Sequence, residues 1–223
     1  MKRKKTHSSQ REEIAELLRR LHNYKPARGE FSYAERGRAV TEAHGLYNDA
    51  FELGKQFPMD ADLAGVSTEA YRLWFAALNV AYPKGFWDNV QKLRAGDAAG
   101  RESVIQFLEA DPFFFGTGYA RAHLTRCIKP PMLTPSDARR LQAVVLAKVE
   151  KCVGQDFATF RRFAKKVDDA FLREQLTQRL GSSDPDVSRR ARWVLEALAQ
   201  KDRMEQGKKE AAARRQGSQR TKS

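Results

Sequence analysis

The chain has 223 residues, of which 41% are hydrophobic and 10% are aromatic, which is enough to build a sizeable core. It has no run of 18 or more apolar residues, and polar residues follow its basic start, so the sequence predicts neither a membrane-spanning helix nor a secretory signal. We therefore expect a globular cytoplasmic protein that does not associate with membranes.

The net charge of +13 is unevenly distributed along the chain. Residues 1–10 hold four basic and no acidic side chains, and residues 201–223 hold eight basic and three acidic ones. Residues 31–116 hold eight basic and twelve acidic side chains, whereas residues 117–168 hold eleven and four. The folded part is therefore polarised, and an excess of positive charge in the segment 117–168 is typical either of a face for polyanionic or acidic partners or of a solvated surface.

The first half of the chain has the apolar spacing of helices and no convincing strand pattern. Helices are predicted over about residues 9–23, 33–54 and 67–82, and a shorter one begins at Phe86. In the second helix, Gly37 and Gly45 lie eight residues apart on one side, which indicates close approach of a neighbouring helix. The inward residues predicted for the third helix are Tyr71, Trp74, Phe75, Leu78 and Tyr82. Nearby aromatic residues, including Trp87, are assigned to the core as well.

The second half of the chain predicts three successive helix pairs, which begin at residues 98, 135 and 169. Thr117 can cap the second helix of the first pair, and Thr134, Pro135 and Asp137 form a strong start signal. The end segments 1–8 and 202–223 lack apolar periodicity. We therefore predict them to be disordered basic tails, although alanine-rich KKEAAARRQ can form helix transiently.

Residues 170–200 show the clearest supersecondary pattern. The apolar residues of a first helix end at Gly181, and Asp184 with Pro185 starts a second helix. The inward residues predicted for the two helices are Phe171, Leu172, Leu176, Leu180, Val187, Ala191, Val194, Leu195 and Leu198. This pattern resembles the second half of a HEAT repeat, whose turn reads D-P-x-V-R, although Ser188 stands at the arginine position.

The resemblance implies an all-α fold, a HEAT-like α-solenoid of about five helix pairs with disordered basic tails. The division that it implies places an N-terminal helical region at 9–96 and the repeats at 97–201. A tetratricopeptide array and an irregular helical bundle are the alternatives, since the spacing of 34 to 37 residues between pairs is short for HEAT repeats.

The strongest binding signal is a set of basic residues on predicted helices. In the helix over 156–167, phenylalanines at spacings of three predict an inward stripe and leave the basic residues outside. With two arginines of the preceding helix they make up the predicted basic ridge: Arg139, Arg140, Arg161, Arg162, Lys165 and Lys166. Arg121, Arg126 and Lys129 could share this face. The ridge could contact phosphates, an acidic protein surface or only solvent.

The sequence predicts no catalytic site, no metal and no cofactor. It lacks the motifs H-E-x-x-H, G-x-S-x-G and C-x-x-C and the P-loop, and its four histidines are scattered. Cys127 and Cys152 lie on apolar helix faces, which predicts buried reduced thiols. Some HEAT-like proteins are DNA glycosylases, and that alternative would need a carboxylate and an aromatic residue in a groove; the candidates are Asp168, Asp169 and Trp193.

We therefore expect a non-enzymatic helical-repeat scaffold that binds a macromolecular partner, with a protein as the first expectation. The alternative is a nucleic-acid-binding protein that uses the basic face at residues 117–166 and both tails. The sequence does not fix the oligomeric state.

Overall fold

A computed structural model describes the backbone of residues 7–151 and 155–220 and, within them, the side chains of residues 9–151 and 156–211. This described part contains ten α-helices and three short 3₁₀ turns, and no strand. The predicted all-α class is confirmed. None of the described helices combines the length and the apolar character needed to cross a bilayer.

The chain divides into two compact units. The first unit comprises Met1–Asp88 and Ala110–Thr117, and the second comprises Asn89–Glu109 and Gly118–Ser223. The sequence predicted the boundary at 96/97, eight residues after the boundary at 88/89 in the structure. It did not predict that residues 110–117 belong to the first unit.

The first unit contains three complete helices: α1 (His7–Asn23), α2 (Tyr33–Gln56) and α3 (Val66–Asn79). These helices begin and end within about three residues of the predicted positions. Helix α4 (Phe86–Ala95) begins in the first unit. Ser32 caps α2, because its side-chain oxygen accepts a hydrogen bond from the backbone nitrogen of Glu35 at 3.4 Å.

Small residues form the contact between the helices of the first unit. Helix α2 packs against both α1 and α3 and buries Val40, Ala43 and Ala50 completely or nearly so. A Cβ added at Gly37 would lie 3.3 Å from the Phe114 ring, so this glycine is closely approached by the connection that precedes α6 and not by a neighbouring helix as predicted. Gly45 has no neighbour within 4 Å of such a Cβ, and the prediction of close approach there is wrong.

The predicted inward face of α3 is also wrong in part. Tyr71 is 46% exposed and Phe75 is 51% exposed, whereas Ala70 and Ala77 are buried. The helix is rotated so that its alanines lie against the core, since small side chains let the backbones approach. Trp87, which was assigned to the core, is 43% exposed.

The second unit contains six helices after the end of α4. They are α5 (Arg101–Ala110), α6 (Thr117–Cys127), α7 (Pro135–Lys151), α8 (Gln155–Ala164), α9 (Ala170–Arg179) and α10 (Pro185–Arg220). Helix α7 contacts α8 and α9, and α10 contacts α7, α8 and α9. Helices α5, α7 and α9 begin at Arg101, Pro135 and Ala170, within three residues of the predicted starts of the three pairs.

The predicted start signals of the second unit act as caps. Thr134 and Asp137 cap α7 reciprocally: the Thr134 backbone nitrogen and hydroxyl donate to the Asp137 carboxylate at 2.9 and 2.6 Å, and the Asp137 nitrogen donates to the hydroxyl at 3.2 Å. Asp169 accepts from the Leu172 nitrogen at 2.8 Å and caps α9. Asp184 accepts from the Asp186 nitrogen at 2.8 Å at the start of α10.

The inward faces of α8, α9 and α10 were mostly predicted correctly. The buried members of the predicted stripes are Phe157, Phe160, Phe163, Ala164, Val167, Leu172, Leu176, Val187, Ala191, Val194 and Leu198. Phe171 is 36% exposed and Leu180 is 37% exposed, and Leu195 is only partly buried. Helix α9 therefore buries a narrower stripe than its apolar residues predict.

The C-terminal segment differs from its prediction. The sequence predicts a disordered basic tail from residue 202, whereas α10 continues as helix to Arg220. The described side chains of this extension, residues 202–211, are exposed, so no packed core holds it. Its alanine, glutamate, lysine and arginine residues are strong helix formers, and Gln206 donates to Glu210 at 2.9 Å one turn later. The N-terminal basic arm, residues 1–8, falls mostly outside the described residues, and His7 and Ser8 belong to α1.

Gly100 should tolerate no side chain. A Cβ there would lie 1.9 Å from the Asn89 carbonyl oxygen, so the backbone would have to move. We expect Gly100→Ala to lower the free energy of unfolding by about 2 kcal/mol or more. Gly45→Ala is the matched control: it adds a methyl to open space inside α2 and should raise stability by roughly 0.5–1 kcal/mol. Urea unfolding of both variants checks the opposite signs; equal effects would contradict the packing at Gly100.

The packing of α10 against its neighbours predicts a difference in stability between two leucine variants. Leu198 is fully buried, so Leu198→Ala should cost about 2–5 kcal/mol of unfolding free energy. Leu180→Ala removes the same atoms from a side chain that is 37% exposed and should cost less than half as much. Thermal and urea melts rank the two variants, and the reverse order would show that the inward face of α10 is misassigned.

Candidate functional site

The six residues of the predicted basic ridge fall into two groups in the structure. Three of them are engaged by the fold, and the other three line a groove. The division depends on where each helix places acidic side chains and carbonyl oxygens, which charge counting along the sequence does not show.

Arg140 is held by two carboxylates of α5. Its guanidinium donates to Glu102 at 2.7 and 2.9 Å and to Glu109 at 2.7 and 2.6 Å. The hydrogen bonds to Glu109 and Glu102 raise the pKa of Arg140, and the bonds from Arg140 lower the pKa of Glu102. Because all three guanidinium nitrogens are directed at carboxylates, this arginine ties α7 to α5 and offers little to a ligand.

Lys166 caps the C-terminal end of α6. Its Nζ donates to the carbonyl oxygens of Thr125, Arg126 and Ile128 at 2.9, 3.0 and 2.6 Å. These carbonyls lie at the C-terminal end of α6, where backbone acceptors lack helical partners. Burial lowers the pKa of the ammonium. Lys166 is a capping residue rather than part of a binding ridge.

Arg139 is also engaged. Its guanidinium carbon lies 3.6 Å from the centroid of the Phe171 ring, and a nitrogen lies 3.8 Å from the Asp169 carboxylate. The exposed ring of Phe171 is therefore covered by a cation, which explains why α9 can leave it outside the core.

The other three ridge residues line a groove between α8 and α10. We call it the basic groove; its cavity is about 560 Å³, and its lining residues are Arg161, Arg162, Lys165, Trp193, Glu196, Ala197, Gln200 and Arg203. A smaller cavity of about 180 Å³ between α6 and α8 shares Arg162 and is also lined by Arg126.

Helix geometry places these residues together. The buried phenylalanines of α8 leave Arg161 on its outer side, and Lys165 follows in the turn directly after the helix. On α10, Trp193, Gln200 and Arg203 follow at helical spacing along one face. The two faces meet because α8 and α10 pack against each other.

The basic groove carries a strong positive charge. Four cationic side chains and one carboxylate, Glu196, line it. Among the described residues, Arg161, Lys165 and Arg203 form no ion pair, and Arg162 donates only to the Ala158 carbonyl of its own helix at 3.2 Å. Like charges held in one groove repel each other, so an anion bound there would lower their electrostatic energy.

Trp193 forms an aromatic wall of the basic groove. It is 40% exposed, and its ring lies 6.1 Å from that of buried Phe157. The Arg189 guanidinium lies 5.5 Å from the indole centroid and pairs with Asp186 at 2.7 Å. The indole is therefore supported from the core and can stack against a planar group.

An ion-pair cluster fixes α10 at the end of the groove. Asp168 accepts from Arg173 at 2.8 Å through both carboxylate oxygens and from Lys201 at 3.3 Å. Arg173 also donates to Asp202 at 2.8 and 3.0 Å. Since Asp202 precedes Arg203, the cluster positions α10 at the point where its packed part ends.

Sequence reasoning missed two parts of this site. Arg203 was assigned to a disordered tail, and only the continuation of α10 places it in the groove. Trp193 was considered only for a glycosylase. The carboxylates considered with it have other roles: Asp168 is in the ion-pair cluster and Asp169 caps α9. The helical spacing of Trp193, Gln200 and Arg203 was the available signal.

The structure describes one of the two cysteines, whose Sγ lies 3.7 Å from His123 Nε2. Cys127 is buried and free, and Cys152 lies outside the described residues. No group of three or more histidine, cysteine, aspartate or glutamate side chains that could hold a metal occurs in the described part of the chain.

The first unit carries a surface of a different kind. We call it the aromatic face; its exposed members are Phe51, Tyr71, Phe75 and Phe115. The rings of Phe51, Tyr71 and Phe115 contact partly buried Tyr47 or Trp74, and Phe75 stacks on Tyr71. Tyr47 stacks on Trp74 at 5.3 Å, and Trp74 meets Phe115 edge-on at 5.3 Å. In the Phe-Phe-Phe run only Phe114 is buried, whereas Phe113 is 84% exposed.

The Asp168 cluster predicts an acid-sensitive stability. Burial by itself would raise the pKa of Asp168, but hydrogen bonds from Arg173 and Lys201 outweigh it, and the pKa is lowered. The carboxylate therefore contributes stability above its unfolded pKa of about 3.9, and this contribution is lost as the pH falls through the folded pKa.

We expect Asp168→Asn to cost on the order of 3 kcal/mol at pH 7, because Arg173 and Lys201 lose the carboxylate that compensates their charge. The unfolding free energy of the variant should fall less steeply below pH 5 than that of the wild type. Asp202→Asn, on the exposed side of the cluster, is the control and should have the smaller effect. If the unfolding free energies of the wild type and Asp168→Asn change with pH in the same way, the role of Asp168 is contradicted.

No family model, curated protein or solved structure matches this chain, so its function has to be argued from the site itself.

Proposed function

We propose that the protein binds nucleic acid through the basic groove of its second unit. The observation that carries the proposal is the set of four cationic side chains around a cavity of about 560 Å³, none of which forms an ion pair with the described residues. Phosphates would neutralise these cations, and the release of counterions from the nucleic acid would drive binding.

The extension of α10 supports a polyanionic ligand. Beyond Arg203 it carries Lys208, Lys209, Arg214, Arg215 and Arg220 against two glutamates. A helix with this charge, whose described side chains at 202–211 are all exposed, would gain stability beside phosphates. The extension begins at the end of the basic groove, so it would lengthen the electrostatic path for a bound strand.

We also propose that the second unit is a HEAT-like stack, part of the predicted α-solenoid. In such a stack, the first helices of successive pairs contact each other and so do the second helices. The contacts of α7 with α9 and of α8 with α10 support this arrangement. An extended groove along the second helices would then be the binding surface, as repeat proteins commonly use.

A protein-binding scaffold is the second candidate function. The aromatic face of the first unit favours it, because Phe51, Tyr71 and Phe75 are each more than 40% exposed. Aromatic residues are enriched at the cores of protein interfaces, where their large apolar area is removed from water. The two roles use different units and can coexist, and neither requires a catalytic group.

The salt dependence of binding tests the first function. We expect the wild type to bind oligonucleotides at low salt with an affinity that falls steeply as salt increases. Replacing Arg161, Lys165 and Arg203 together by glutamine should weaken binding and lower the log–log slope by roughly 0.7–0.9 for each phosphate that the protein no longer neutralises. Titrations monitored by fluorescence anisotropy at several salt concentrations measure both quantities.

Arg140→Gln is the matched control. It removes one positive charge from a neighbouring helix, as each of the three replacements does, but Arg140 is held by Glu102 and Glu109, so this variant should lose stability and keep the salt slope. If the triple variant binds as the wild type does, or if Arg140→Gln changes the slope as much, the groove does not bind phosphates. Absence of binding even at low salt would leave the scaffold as the better function.

A further inference from the structure

We infer that the basic groove takes a single strand and holds one base between the indole of Trp193 and the carboxylate of Glu196, with a preference for cytosine over thymine or uracil. This inference rests on the proposed function and specifies its ligand. It is carried by three features of the groove: an exposed aromatic wall, a limited length and a lone carboxylate among cations.

The aromatic wall favours unpaired bases. In a duplex the base faces are stacked on one another, whereas a single strand presents them to protein side chains. Trp193 is 40% exposed in the wall, and contact with buried Phe157 holds its ring in place. The Arg189 guanidinium lies 5.5 Å from the indole centroid but does not line the groove, so it leaves the groove side of the indole to a base.

The length of the groove suits a few nucleotides. Trp193 and Arg203 are ten residues apart on α10, which corresponds to about 15 Å of helix. At about 3.4 Å per stacked nucleotide, this length accommodates roughly four nucleotides. Arg161 on α8 and Lys165 in the turn directly after α8 line one side of the groove, and Arg203 lies beyond the aromatic wall. A strand whose base stacks on Trp193 would thus have cations for its flanking phosphates.

Glu196 gives the groove a means of distinguishing bases. It is the one carboxylate among the lining residues, and it forms no hydrogen bond or ion pair with the described residues. Its negative charge is repelled by phosphates, but its carboxylate can accept a hydrogen bond from the exocyclic amino group of cytosine. Thymine and uracil present a carbonyl oxygen at the same position, which a carboxylate repels. Glu196 lies three residues after Trp193 and therefore on the same side of α10.

The test uses the full-length protein and fluorescein-labelled oligonucleotides of about 12 nucleotides, a length within the range of known single-strand sites. The probes are oligo-dC, oligo-dT, oligo-rC, oligo-rU and a mixed-sequence DNA duplex. We expect the cytosine strands to bind at least about fivefold tighter than the thymine or uracil strands, from one well-placed hydrogen bond. The DNA and RNA series show which sugar the site takes, and the preference for cytosine is expected in both.

Two substitutions separate the roles of stacking and hydrogen bonding. Trp193→Leu should weaken binding of every single strand by about tenfold or more and change duplex binding by less than about twofold, because only stacking is removed. Trp193→Phe, which keeps an aromatic face, should recover part of the affinity. Glu196→Gln should abolish the preference for cytosine without weakening overall affinity, since glutamine both donates and accepts. Circular dichroism checks that each variant keeps its helical content.

The outcomes distinguish this inference from the proposed function. Nucleic-acid binding stands if the wild type binds with a steep salt slope that the Arg161/Lys165/Arg203 variant lowers. The single-strand inference is overturned if Trp193→Leu then weakens the binding of single strands and duplex equally, or weakens neither. If Glu196→Gln keeps the cytosine preference, or the wild type shows none, the role of Glu196 is overturned. If no probe binds at low salt, both proposals fail.

Discussion

The packing of the α8 phenylalanines is the interaction on which the candidate site depends. Phe160 and Phe163 are among the largest fully buried side chains of the chain, and Phe157 lies beside Trp193. Because these rings are removed from water, α8 can take only one rotation about its axis. That rotation directs Arg161 away from the core and towards the face of α10 that carries Arg203, and Lys165 lines the same groove from the turn after α8.

Basic residues that look equivalent in the sequence have different partners in the fold. Arg140 and Arg161 are both helix arginines next to another basic residue, yet one donates to two carboxylates and the other forms no ion pair with the described residues. The same contrast separates Lys166, which caps α6, from its neighbour Lys165 in the groove. The partners of the engaged residues lie some 30 to 40 positions away in the chain, so no local pattern could identify them.

The two units carry surface cavities of opposite charge. A cavity between α1 and α2 of the first unit is lined by four carboxylates and one arginine: Glu13, Glu16, Asp49, Glu52 and Arg20. The basic groove of the second unit has nearly the reverse composition. This polarity was already visible in the charge counts of the sequence. A polyanion would be repelled from the acidic cavity and attracted to the groove, so the charge distribution adds to the selectivity of the proposed site.

Local signals in the sequence determined the helices, their caps and most of the buried faces, because caps and apolar periodicity act over a few residues. Asp184 with Pro185 and the stripe of α8 are examples. Tertiary packing decided the rest. Alanines rather than aromatic residues line the core side of α3, since close backbone approach stabilises that contact, and Phe75 is left exposed. The groove, too, exists because α10 packs beside α8, which joins Trp193 to Arg161 across more than 30 residues of chain, and Arg203 belongs to it because α10 continues past residue 201.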